Sequence, residues 1–493
     1  MKIGGDVVGG TAPFTGRVFG RTKLASVTVG GSLVGGSASD SGRIHSDGNI
    51  GPVSIGRDVI GGSSHRCGFI ESGGKMGAIN IGGSLVGGSG GACGSISSHD
   101  DIGPVTIGHD ILGAGDESAR IIGGKLAAVT VGGSLIGGSG YSSAVIVGAA
   151  TGAIRIGGNV LGGAGAPSAY IQCGTIASIT IGGSLLAGSG NNSARIVTDG
   201  DMGAVTIGGD VQGRAIFSGS IECRGKLAAV TIGGSLGGGS GRNSGWIFSQ
   251  GDMGAVKIGR DFVGGSVNAG DPVLDRSGFI ENAAGRIASV TIGGDVRAGT
   301  DDSTNVTGLL RNAAISAGNN IGSIVIEGSV AGSVGTNITR VTFTARGQAS
   351  PTATADVAIG KLTIAERAER MSVLAGYASN ILPLNGNAQI GPISIGGDLV
   401  ASHLIAGVRV VSGFGDVFGG PDDFIIGNLP NSIARIASIV IGGGVLGSPA
   451  SAGRFGIESH TIGSLTINGF AVPIVSPLSL SPLTGDDVTV REV

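Results

Sequence analysis

Carboxylates gathered around arginine are the residues of this chain with the clearest capacity for chemistry. Asp271, Asp275 and Glu281 lie close to Arg276. Asp301 and Asp302 lie close to Arg311, and Asp416, Asp422 and Asp423 share one long segment. Two carboxylates about 5–10 Å apart across a cleft would serve glycoside hydrolysis, and with a nearby cation they would serve polyuronate cleavage. On exposed loops the same residues are solvated charge. Distances between loops are not legible in a sequence, so no catalytic residue is assigned. Asp271, Asp275, Arg276, Asp301, Asp302, Arg311, Asp422 and Asp423 stand as candidate loop-binding residues.

The other chemistry-bearing types are sparse. Four cysteines, Cys67, Cys93, Cys173 and Cys223, form no CxxC and no zinc spacing. The histidines His45, His65, His99, His109, His403 and His460 form no HExxH. His99, Asp100 and Asp101 adjoin in a stretch that reads as a solvated turn. The glycine-rich "GGSLVGGSGG" lacks the Gly-Lys-Ser/Thr ending of a phosphate loop. No cofactor and no metal ligand is assigned.

What must position these residues is a repeat. "KLAAVTVGGSLIGGSG" at 125–140 returns as "KLAAVTIGGSLGGGSG" at 226–241. The second apolar residue of "VT(V/I)G" falls at Ile3, Val29, Ile55, Ile81, Ile107, Val131, Ile156, Ile181, Ile207, Ile232 and Ile258, every 24 to 26 residues. It continues at Ile292, Ile326, Ile364, Ile395, Ile441 and Ile467 with wider gaps, giving about 17 units. Each unit holds three β-type runs: the anchor run, an apolar residue four places on (Leu33, Val59, Leu85), and an isoleucine 14 or 15 places on (Ile44, Ile70, Ile96). Glycine and β-branched residues leave no helical stripe.

The pattern predicts an all-β fold: a parallel β-helix, right-handed by expectation, of about 17 coils with three short strands each. At about 4.8 Å per coil the stack would be roughly 80 Å long. Residues 1–470 read as one solenoid, regular over 1–262 and loop-decorated over 263–470, with an irregular proline-containing tail or cap over 471–493. Identical coils must offer each other identical surfaces, which is why the same phrase recurs. Cys67 and Cys93 then stack on neighbouring coils, whereas Cys173 and Cys223 are two coils apart, too far to bond.

Two outward columns alternate. One reads Lys23, Asn49, Lys75, Asp101, Lys125; the other reads Ser32, Asp58, Ser84, Asp110, Ser134. Keeping like charges two coils apart accounts for both. A third column, with Thr28, Ser54, Asn80, Thr106 and Thr130, reads as ordinary exposed strand residues.

Composition agrees with a packed fold. Glycine is 103 of 493 residues, but 41% of the chain is hydrophobic and the net charge is −3. Disorder needs the opposite balance, and collagen needs glycine at every third position. Near-neutrality offers no electrostatic case for nucleic acid, and no apolar run is long enough for a membrane span.

The cycling of "KLAAVTIGGSL" and "DMGAVTIGGDV" resembles bacterial β-solenoid surface proteins of the adhesin type, and more loosely the bactofilins, whose coils are shorter. The first resemblance implies a rigid stalk or adhesive element at the cell surface or outside the cell. The chain as given shows no signal segment, and a cytoplasmic location is the alternative. The expected function is a non-enzymatic structural or adhesive rod presenting loops of its C-terminal half to a surface or glycan. The alternatives are a polysaccharide-acting β-helix enzyme and a self-assembling filament. Uncapped coil ends predict end-to-end self-association or missing upstream sequence.

Overall fold

The computed structural model describes residues 1–271, 274–304, 310–409, 423–447, 455–475, 478–480 and 488–493. The chain is an all-β parallel β-helix. Among the described residues the sole helical element is a 3₁₀ turn, Ile426–Asn428, and no helix is long and apolar enough to cross a membrane. It divides into two compact units, Met1–Gly233 with Asn243–Trp246, and Gly234–Arg242 with Ile247–Val493.

In the first unit each coil pairs in parallel with the next. The anchors form one ladder, Ile3↔Val29↔Ile55↔Ile81↔Ile107↔Val131 and on to Ile232. Val7, Leu33, Val59 and Leu85 begin the second. Val18, Ile44, Ile70 and Ile96 begin the third. Val29, Ile55, Leu33, Val59, Ile44 and Ile70 are buried. Because strand residues alternate sides, each ladder turns one branched side chain inward per strand, and stacking buries it on both faces. A fourth inward ladder, Leu24, Ile50, Met76, Ile102 and Leu126, escaped the expectation of three runs. In the first coils it rests on two-residue strands such as Lys23–Leu24 and Asn49–Ile50.

The number of separate strands per coil depends on one residue. Where the third-run isoleucine stands eleven places before the next anchor, as Ile44 before Ile55, the strands Arg43–Ser46 and Val53–Ile55 are distinct. Where the spacing is ten, one bent strand covers both runs: Arg120–Val131, Ser143–Ile156 and Ser168–Ile181. The inward residues explain this. In the short coil Gly148 and Thr151 have two residues between them. In the long coil Ser46 and Ile50 have three, Asp47-Gly48-Asn49, and the extra residue opens a turn.

The outward alternation has a different cause from the expected charge separation. Asp58 Oδ1 accepts the Ser84 N–H of the next coil at 2.7 Å, and Asp110 Oδ1 accepts the Ser134 N–H at 2.7 Å. The serines return the contact: Ser84 Oγ accepts the Asp110 N–H at 3.3 Å and Ser134 Oγ the Asn159 N–H at 3.0 Å. Asn49, Asp101 and Asp201 accept the amides of Lys75, Lys125 and Lys226 in the same way. These side chains satisfy corner amides that no strand partner reaches. In the Lys/Asp column, Lys75 and Asp101 form an exposed ion pair at 3.7 Å. Where two aspartates do stack on adjacent coils, Asp261 and Asp295 in the second unit, Arg297 bridges them at 3.4 and 2.5 Å.

The corner before the third run needs left-handed backbone. Gly42 and Gly68 have φ of 60° there, and a Cβ would collide with the carbonyl oxygen of Val34 or Ile60. Ser41 and its equivalents point into this corner, Ser41 Oγ accepting the Gly36 N–H at 2.9 Å. Cys67 and Cys93 take the serine position in their coils. Both are buried free thiols, and the Cys67 N–H donates to Cys93 Sγ at 3.3 Å. Cys173 and Cys223 are also free, with Thr198 in register between them.

The second unit keeps the ladders through its insertions. The anchors run Ile258↔Ile292↔Ile326↔Ile364↔Ile395↔Ile441↔Ile467. The third ladder runs Ile280, Ile315, Phe343, Val373, Leu404, Ile457 and Val490. Val490 belongs to Val488–Glu492, inside the segment expected to be irregular. The tail also doubles back, with Phe470–Ala471 and Leu478–Ser479 forming antiparallel pairs.

Candidate functional site

The third run carries candidate side chains on its outward positions. These flank the buried isoleucine on either side, because alternation sends both neighbours outward.

In the second unit this face gathers part of the predicted set. Asp275 and Arg311 sit on adjacent coils, in strands whose register sets Asp275 opposite Leu310. Arg311 Nε donates to Asp275 Oδ1 at 2.6 Å, and a second guanidinium nitrogen reaches Oδ2. Arg276 Nε donates to Glu281 Oε2 at 3.2 Å, with Arg276 Nη1 lying 3.7 Å from Asp275 Oδ2. Arg276 and Arg311 both hold left-handed backbone, φ 55° and 52°. Beside them is a shallow recess with room for about one water molecule, lined by residues that include Phe279, Arg311, Ser316, Thr344 and Ile381.

The rest of the set lies elsewhere. Asp271 Oδ2 accepts the Asn268 N–H at 2.9 Å within its own turn. Asp301 is buried and accepts the Ser303 N–H at 2.9 Å, and Asp302 accepts the Thr336 N–H at 3.0 Å. Arg311, expected near these two aspartates, pairs with Asp275 instead. Asp423 is buried, while Asp416 and Asp422 fall outside the described residues. The described parts of two insertions close over the third-run face. Tyr377, Val408, Ile425 and Ile426 pack with the outward Leu374 and Ile405 as one buried cluster. Tyr377 Oη donates to the Val408 carbonyl at 2.6 Å, and burial pushes its hydroxyl pKa up. His403 is fully buried beside Phe455, and its Nδ1 accepts the Gly456 N–H at 3.3 Å. Burial and then the Arg340 charge hold His403 well below the usual imidazole range.

The candidate set lies wholly in the second unit, yet the same face of the first unit is richly furnished. The buried Arg43 guanidinium contacts Asp40 and Glu71, and Arg66 contacts Glu71 from the other side. His45 Nδ1 lies 3.2 Å from Glu71, and its Nε2 lies 3.0 Å from Asp47. Burial and then neighbouring Arg66 bring the Arg43 pKa down to about 10. Burial, then Arg43, lowers that of His45. Phe19 stacks on His45 at 5.6 Å, and the Arg17 guanidinium lies 4.2 Å from the Phe19 ring centre and 5.3 Å from that of Phe14. Further along, Arg195 makes a two-pronged contact with Glu222, 2.6 Å at each prong, near the rings of Tyr170 and Phe217. The available signal was the residues flanking each third-run valine or isoleucine, "RVF", "RIH" and "FIE".

Among the described residues no group of three or more His, Cys, Asp or Glu could hold a metal ion. The fold defines a parallel β-solenoid. No family model matches the chain, and no curated protein or solved structure matches it either.

Proposed function

We propose that the protein is a non-enzymatic structural or adhesive solenoid acting at a cell surface or outside the cell. The observation that carries this reading is the use of its charged groups. The best-placed carboxylates, Asp275 and Glu281, are bound by Arg311 and Arg276, and Arg43–Glu71 and Arg195–Glu222 repeat the device in the first unit. In each of the pairs Asp275–Arg311, Arg43–Glu71 and Arg195–Glu222 the partners come from neighbouring coils, so the charge fastens the stack. An acid–base pair for catalysis would instead leave one carboxyl facing a cleft.

The polysaccharide-cleaving alternative draws on the convergence of Asp275, Arg276, Glu281 and Arg311 beside that shallow recess. One experiment separates the two. The full chain is incubated with polyuronate and neutral glycans while new reducing ends and unsaturated uronate are followed, together with retention on the insoluble polymer. Retention without product is the expected result. Product that disappears in Asp275→Asn or Arg311→Ala would overturn the proposal.

A further inference from the structure

We propose that the third-run face around Arg17 binds the acidic group of a polysaccharide, Arg17 taking a sugar carboxylate or sulfate while the rings of Phe14 and Phe19 take the sugar's C–H face. This names a ligand class for the adhesive reading above and rests on it.

Three observations converge. Phe14 and Phe19 are 56% and 46% exposed, large rings held in solvent. Arg17 stacks against both, at 5.3 and 4.2 Å, and has no carboxylate partner among the described residues. Its counterpart one coil on, Arg43, is buried and held by Asp40 and Glu71. Finally, the surroundings favour an anion. Arg17, Arg43 and Arg66 come from three successive coils, and Asp40 and Glu71 already serve the latter two. Burial is the main cause of the lowered His45 pKa, and Arg43 and Arg17 add to it against the opposing pull of Asp47.

The chemistry then selects the ligand. A guanidinium reads carboxylate or sulfate with two parallel hydrogen bonds. An exposed ring beside it buries apolar C–H surface. A single unpaired arginine suits one acidic group per sugar. Single-stranded nucleic acid would need a continuous basic groove along its backbone, and the net charge of −3 does not supply one.

The test titrates the full chain with four probes: polygalacturonate oligomers, sulfated heparin-type oligosaccharides, neutral cello-oligosaccharides and oligo-dT. Binding by at least one acidic glycan is expected, and whether carboxylate or sulfate is preferred identifies the group. The neutral chain and oligo-dT should bind at least about tenfold more weakly. Arg17→Ala and Phe19→Ala should each lose about tenfold in affinity, Arg17→Lys should lose less, and Lys257→Ala should lose nothing. The His45 imidazole, followed by NMR, should rise in pKa when the acidic chain is bound. Failure of both acidic chains to bind, equal binding of the neutral chain or oligo-dT, or indifference to Arg17→Ala would each overturn the proposal. None of these results involves turnover, so the non-enzymatic reading would survive them.

Discussion

The third-run face is built by the same ladder logic in both units but put to opposite uses. In the first unit it meets solvent through Phe14 and Phe19, and its charges pair across coils at Arg43–Glu71 and Arg195–Glu222. In the second unit two outward positions are apolar, Leu374 and Ile405, and inserted residues Tyr377, Ile425 and Ile426 cover them. Inserted loops are commonly taken as the binding side of a solenoid. Here the described parts of two of them add a second apolar layer over Leu374 and Ile405, while Asp275, Arg276, Glu281 and Arg311 keep paired charge in the same unit.

The largest effect is expected from breaking the charge pairing of the open face. Glu71→Gln strips the buried Arg43 of its cross-coil partner and leaves it Asp40 alone. An incompletely paired buried charge costs about 3–5 kcal/mol, measurable as a lower urea midpoint with an unchanged slope. A loss under about 1 kcal/mol would mean that the network is solvated and that the face is not fastened by charge. The covered face should respond next. Ile405→Ala should cost about 2–4 kcal/mol, as for a buried aliphatic truncation. Val147→Ala, at an outward third-run position of the first unit and half-buried, should cost under about 1.5 kcal/mol. Equal losses would erase the distinction between a covered and an open face.

Much of the fold was legible because the repeat makes each inward position visible many times. The register Val29↔Ile55↔Ile81 follows from spacing alone. The fourth ladder was harder to see. Its members alternate Leu, Ile and Met and include Thr151, so no single residue type announces the column. The Asp/Ser alternation was visible, but its cause was not. A hydrogen bond from a side chain to the next coil's amide depends on corner geometry that composition does not encode. The candidate residues divide for a related reason. Asp275 and Arg311 are 36 residues apart and become neighbours only through stacking, whereas Asp301 and Arg311, close in sequence, lie in different parts of one insertion-bearing coil. The Arg43–Glu71 network followed the same stacking rule and could have been found by reading outward neighbours as closely as inward ones.

The smallest predicted effect separates the two faces by acid. His45 and His403 occupy outward third-run positions, and both have depressed pKa values. The unfolded chain binds protons at these sites from about pH 6.5 downward, while the folded chain resists until the pH reaches each lowered value. Between those limits the unfolded state carries more protons, so stability falls as pH falls, by at most about 1.4 kcal/mol per pH unit for each group. The fully buried His403, enclosed with Phe455 and near Arg340, should hold that slope further below about pH 6.5 than His45 does. His45, half-buried and next to Asp47, should stop contributing sooner. Urea unfolding at several pH values, with His403→Asn and His45→Asn as separate variants, measures both. The substitution His403→Asn keeps an acceptor for the Gly456 N–H while removing the titration, so it should remove the larger share of the slope. If His45→Asn removed the larger share instead, the insertion-covered face would be the wetter of the two, and the contrast between the units would have to be reversed.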